Sequence, residues 1–171
     1  MGASHWEYRV PYRPDVAAAL DALRWQAYRD GDYYQVEPDS TLEMSEDDYR
    51  ATLPGNGDDN DIGTFLLDEW RKAKKRPAVD SPDTLLANQP ESGTHSIIDM
   101  MNGVSEAAAF GTVSPLTEAE LLDCFGTLKP SGDQVAEGAS LGGRHGWEGA
   151  YVISYEGETP MEIHFFGYSG D

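Results

Sequence analysis

Trp147-Glu-Gly-Ala-Tyr-Val-Ile-Ser-Tyr155, Glu156-Gly-Glu-Thr159 and, after Pro160, Met161-Glu-Ile-His-Phe-Phe-Gly-Tyr168 read as strand, turn and strand. Both flanks are rich in β-branched and aromatic residues, and Gly157 sits in the turn, so the stretch predicts a hairpin. Met161, Ile163 and Phe165 alternate with Glu162, His164 and Phe166, which predicts one buried and one partly wet face. A hairpin of this length needs further strands or helices to cover its apolar side.

Upstream, Gly138 to Gly146 is a glycine-rich lead-in, and Thr117-Glu-Ala-Glu120 is a capping box that opens a helix. Leu121, Leu122, Cys124, Phe125 and Leu128 are expected to carry that helix into the core. His95-Ser-Ile-Ile-Asp-Met100 reads as an interior strand. At the amino end, Trp6, Tyr8 and Val10 alternate with Glu7 and Arg9, a strand that ends at Pro11 or lies at a sheet edge. Pro14-Asp15 then opens a helix whose Val16, Leu20, Leu23 and Ala27 form a stripe, with Gly31 as its stop.

Ser45 followed by Glu46, Asp47 and Asp48 marks a short helix to about Thr52, since a serine cap and three acids suit a positive helix end. Residues 53–61 are turn chemistry and are expected to form a mobile acidic loop. From Ile62 a helical period returns, with Ile62, Phe65, Leu66, Trp70 and Ala73 on one face and Pro77 ending it. Ser81-Pro82-Asp83 starts a further short piece. The expected architecture is α+β: one compact domain over 1–171, with an antiparallel sheet of about four or more strands, including the carboxy-terminal hairpin, packed with two or three amphipathic helices.

Charge limits the partners. The 171 residues carry 31 acids against 12 bases, a net charge of −19. Residues 30–61 hold eleven acids and only Arg50, whereas Arg71, Lys72, Lys74, Lys75 and Arg76 follow within a few positions. A chain of this sign repels nucleic-acid phosphates and anionic lipid, because binding either requires Lys and Arg to displace counterions. Apolar content of 39% is enough for a core, so the charge does not imply an unfolded polyanion. No apolar run is long enough for a membrane span or a secretory signal, and Trp6 stands where a myristoylation motif needs Ser or Thr. The expected location is therefore the cytoplasm. One cysteine, Cys124, precludes an intramolecular disulfide and a thiolate-rich zinc site.

Few patterns suggest chemistry. Counted from Asp58, a calcium loop would place Asn60 third, Gly63 sixth and Glu69 twelfth, but Ile62 at the fifth place has no side-chain oxygen. Cys124 reads as a small hydrophobe on a helix, with an unreactive thiol. His95, Ser96, Ser92 and Asp99 contain the members of a Ser-His-Asp set without a nucleophile elbow, and read as a hydrogen-bonded histidine near a strand end. In the 138–146 loop, Arg144 and His145 are the residues that an enzyme or ligand-binding domain would use. No metal or cofactor signature is present.

Glu46, Asp47, Asp48, Tyr49, Asp58, Asp59 and Asp61 combine carboxylates with aromatic contact area, a combination suited to a protein-binding face. The function expected from this layout is a module that masks a basic protein surface, in the manner of an immunity protein or an inhibitor of a nuclease or other toxin. The alternatives are a small enzyme or ligand-binding domain using the 138–146 loop, and a housekeeping protein of a salt-adapted cytosol whose acids are spread evenly.

Overall fold

The computed structural model describes residues 4–35, 39–54, 61–89, 93–138 and 144–170. The chain divides into two compact units, Met1–Gln35 with Asp80–Asp171, and Val36–Val79. The larger unit holds β1 (His5–Pro11), α1 (Val16–Asp30), a helix at Pro82–Ala87, two short strands, two further helices and the hairpin. The smaller unit holds a 3₁₀ turn at Ser40–Glu43, then α2 (Glu46–Thr52) and α3 (Asp61–Lys74). In chain order the remaining elements are α4 (Pro82–Ala87), β2 (Gly103–Val104), β3 (Thr112–Pro115), α5 (Glu118–Phe125), α6 (Gly132–Gly138), β4 (Glu148–Glu156) and β5 (Thr159–Tyr168).

Local chemistry placed most of these elements as the sequence predicts. The Asp15 carboxylate accepts from the Ala18 amide at 2.9 Å to open α1, and Gly31 closes it in the left-handed region at φ 69°. Ser45 caps α2 through the Asp48 amide, Ser81 caps α4, and Thr117 and Glu120 form the reciprocal capping box of α5. β4 and β5 form the hairpin, and β1 joins as an edge strand.

The fold is α+β, with a five-stranded sheet in the order β1-β5-β4-β3-β2. The sheet is mixed, which corrects the antiparallel expectation: β1, β5 and β4 are antiparallel, but β2–β3 and β3–β4 run parallel. The chain between β3 and β4 contains both α5 and α6, and a helical crossover of that length allows a parallel return. The interior strand expected at His95–Met100 is instead a 3₁₀ turn at Ile97–Asp99. Thr94 donates from both its amide and hydroxyl to Asp99 Oδ1, each at 2.7 Å, and the Ser96 hydroxyl accepts from the Ile98 amide. Such local side-chain bonds offer the backbone an alternative to a ladder.

Alternation along β4 sorts the core into two layers. Tyr151 and Ile153 pack with Trp6, Val113, Ile163 and Phe165 on the face covered by α1 and the 94–100 segment. Ala150 and Val152 pack with Phe166 beneath Val135 of α6 and Leu121 and Phe125 of α5. His164 is fully buried on this second face, with Nε2 3.1 Å from Ser154 Oγ, and Phe166 is buried beside it. On the face expected to be partly wet, Glu162 is partly exposed, whereas His164 and Phe166 are buried because α5 and α6 cover that part of the sheet.

The indole of Trp6 crosses the sheet on the first face. One row of paired residues runs Trp6, Gly167, Gly149, Val113 and Val104 across all five strands. A Cβ on Gly149 would stand 3.0 Å from the Trp6 ring and 2.8 Å from Val113. One on Gly167 would stand 2.8 Å from the Glu148 carbonyl oxygen and closer still to the Trp6 ring. The two glycines thus form the slot that the ring occupies.

In the 36–79 unit, the buried stripe of α3 is Gly63, Leu67 and Trp70, and the last two pack with Leu53. Ile62 and Phe65 are 66% and 62% exposed, so the expected inward face is rotated by about one residue. Tyr49 stacks on Trp70 at 4.8 Å, and the indole N–H donates to the Thr41 carbonyl at 2.9 Å. The acidic loop expected at 53–61 lies largely outside the described residues, as do Asp58 and Asn60 of the calcium pattern.

Filling the glycine slot tests its role. Gly167→Ala should lower the free energy of unfolding by at least about 1–3 kcal/mol, the usual cost of overpacking, measured by urea denaturation. Adding Trp6→Leu should recover part of that loss; strict additivity of the two changes would show that the ring and the glycine are not coupled.

Candidate functional site

Of the acidic residues nominated from the sequence, the structure describes the side chains of Glu46, Asp47 and Asp48. Glu46, at the start of α2, receives hydrogen bonds from Arg71 and Arg50, with Arg71 Nε at 3.1 Å and Arg50 Nη2 at 3.2 Å. These bonds, Arg71 first, hold its pKa at about 2. Asp48 accepts from the Ser45 hydroxyl at 2.7 Å, Asp47 and Asp48 are exposed, and Tyr49 is occupied by Trp70. Asp58 and Asp59 lie outside the described residues, as does the side chain of Asp61. Helix 61–74 also pairs internally, Arg71 with Asp68 and Lys72 with Glu69. Of the charge nominated at 46–48, that of Glu46 is answered by bases of the same unit.

The negative surplus is spread over the chain. The 36–79 segment has eleven acids and six bases, and the rest has twenty acids and six bases. Within the rest, residues 80–171 hold fifteen acids against Lys129 and Arg144 alone. Both of those cations are bound, Lys129 to Glu158 and Arg144 to Glu120, the latter at 2.8 Å. Burial opposes the charge on Glu120, but hydrogen bonds from Thr117 and Arg144 outweigh it and lower its pKa. Arg144 is thus a strut against α5, with a side chain only 9% exposed, and His145 is exposed with its amide donating to Glu148.

An apolar pocket of about 170 Å³ opens beside α5, lined by Leu116, Leu121, Leu128, Tyr151, Ile153 and Tyr155 among others. Leu128 and neighbouring Leu122 are exposed, and Glu118, Asp123 and Glu156 are exposed on the same elements. Helix α5 turns only Leu121 and Phe125 toward the core, one turn apart and both partly buried, and ends at Gly126 in the left-handed region. Leu122, Cys124 and Leu128, expected in the core, consequently face outward. The thiol pKa of Cys124 is raised, by partial burial first and then by Asp123 and Glu120.

A second cluster gathers around the 93–99 segment. Asp99 is fully buried, and burial pushes its pKa up against the opposing bonds from Thr94. Its Oδ2 has no hydrogen-bond partner, and Ser169 lies beside it without a normal bond. His95, at φ 54°, places Nδ1 3.3 Å from Ser4 Oγ and stacks on Tyr34 at 4.9 Å. The nominated Ser-His-Asp set is therefore split: Asp99 serves Thr94, and His95 serves Ser4. Ser92 lies outside the described residues.

Trp147 stands next to this cluster at φ 66°, the second non-glycine residue in the left-handed region among those described. A Cβ on Gly93 would lie 2.7 Å from Asp99 Oδ2 and 2.8 Å from the Trp147 ring, so carboxylate and indole close on the same glycine. Trp147 also forms a wall of an open pocket of about 490 Å³ with Asp83, Leu86, Ala87 and Met101. The sequence signal for this site was the glycine setting of Trp147, between Gly146 and Gly149, which reads equally well as a plain strand entry. No protein-family model, curated protein or solved structure matches the chain.

Two measurements check these placements. Because the folded pKa of Glu46 lies below the ordinary 4.5, its stabilising contribution is present above pH 4.5 and is lost as pH falls toward about 2. An NMR titration of the Glu46 carboxyl should give a midpoint near 2, and an ordinary midpoint would mean that Arg71 and Arg50 do not hold it. Native Cys124 should react with a thiol reagent without denaturant, at a rate that continues to rise at pH values where an ordinary thiol has levelled off. Labelling only after denaturation would return it to the core.

Proposed function

We propose that this chain is an acidic protein-binding module that masks a basic surface of a protein partner. The carrying observation is the apolar pocket beside α5, edged by elements bearing Glu118, Asp123 and Glu156, in a segment whose two cations are already paired. Buried apolar anchors supply most of the affinity in such contacts, while surrounding charges set encounter rate and partner choice. A pocket of about 170 Å³ has the scale of one aliphatic or aromatic side chain. The partner chemistry is an apolar residue flanked by lysines and arginines, as on the phosphate-binding surface of a nuclease. This is the working mode of an immunity protein or nuclease inhibitor. The reading moves the contact from residues 46–61, where Glu46 is held by Arg71 and Arg50, to the α5 side.

Purification from native cells at low salt, with mass spectrometry of what is retained, supplies the partner. Affinity should then fall steeply with rising salt, since exposed charges are screened over about 8 Å at physiological ionic strength. The pair Glu118→Lys and Asp123→Lys should weaken binding about tenfold or more, and Leu128→Ser should speed dissociation. Weakening by Asp47→Lys with Asp48→Lys instead would return the contact to α2, and indifference to salt and to every reversal would end the proposal.

A further inference from the structure

We propose that the pocket walled by Trp147 binds an organic ammonium group carrying methyl substituents, held by the indole and the Asp83 carboxylate. Among the described residues lining the pocket, Asp83 is the one that carries a charge, which favours a cation over an anion. Arg24 takes its Oδ1 at 2.6 Å from the protein side: the arginine side chain is 9% exposed, while that of Asp83 is 73% exposed. The outward part of the carboxylate is therefore left to meet a ligand. Leu86, Ala87 and Met101 offer methyl-compatible walls, and Phe110 packs on Trp147 at 5.2 Å. A bare ammonium would need several acceptors to replace its hydration, whereas a methylated one is satisfied by one carboxylate, an aromatic face and apolar contacts.

The wall is preorganised. Trp147 holds a left-handed backbone that a bulky residue sustains only where its surroundings overdetermine it. Its indole packs where Gly93 and Gly170 have no Cβ. A ring fixed in this way loses little freedom when a ligand arrives. The chain as a whole carries −19, which favours the approach of a cation.

The test compares choline with its neutral carbon isostere, 3,3-dimethylbutan-1-ol, titrated into the full chain. The reporter is the Trp147 indole N–H resonance, assigned with Trp147→Phe. Choline should bind about tenfold more tightly than the alcohol, the scale of a desolvated cation–π contact. Asp83→Asn should weaken choline and leave the alcohol unchanged; if that variant does not fold, the isostere comparison decides alone. A third titration, with N-acetyl-trimethyllysine amide, separates the sources. Tighter binding than choline points to a methylated lysine on a protein, and weaker binding to a free small molecule, either of which supports the site. Equal binding of choline and the alcohol reduces the pocket to an apolar depression, and no shift with either removes it.

Discussion

The ring of Trp6 lying over Gly167 and Gly149 is the contact on which the larger unit depends. Trp6 is 4% exposed, and its burial is worth on the order of 4–6 kcal/mol as an upper value. The ring spans from the edge strand β1 over β5 and β4 toward Val113 of β3, so one side chain ties together strands that are far apart in sequence. It also sets the floor on which Met100 and the 94–100 segment sit. A side chain at either glycine would lift the ring from this floor.

Above that floor, Arg24 fastens α1 to its surroundings. Its guanidinium donates to the Ile98 carbonyl at 3.2 and 3.3 Å and to Asp83 of α4 at 2.6 Å. A buried guanidinium needs such partners, and the carbonyl of a 3₁₀ turn provides one that a strand in a ladder would not have free. The turn at Ile97–Asp99 thus follows from its serine, threonine and aspartate side chains and in return satisfies the cation of α1. Tyr8 adds to the same region: burial first, and then Asp32, raises its pKa.

Electrostatics divide in a way that net charge conceals. The bases at 71–76 follow the acids at 46–48 in sequence, and in the structure Arg71 reaches back to Glu46. By contrast, Lys129 and Arg144 are each taken by one acid, Glu158 and Glu120, and Arg9 of β1 lies 3.8 Å from Glu162, while among the described residues Glu118, Asp123 and Glu156 stand exposed. Among the described residues no helix is long and apolar enough to cross a membrane.

What the sequence determined by itself was local. The caps at Asp15, Ser45, Ser81 and Thr117, the stop at Gly31 and the hairpin at 148–168 depend on interactions within a few residues, so their chemistry is written in adjacent letters. Tertiary structure decided the parallel pairing of β3 with β4, the burial of His164 under α6, the outward turn of Leu122 and Cys124, and the pairing of Glu46 with Arg71. Each depends on what a distant segment places opposite a residue. A period of apolar letters gives a stripe but not its partner, and the short α5 and α3 carry apolar residues on more sides than the core can cover. The two pockets arise in the same way, from Leu128 meeting Tyr151 and from Trp147 meeting Asp83, residues that share no spacing in the chain.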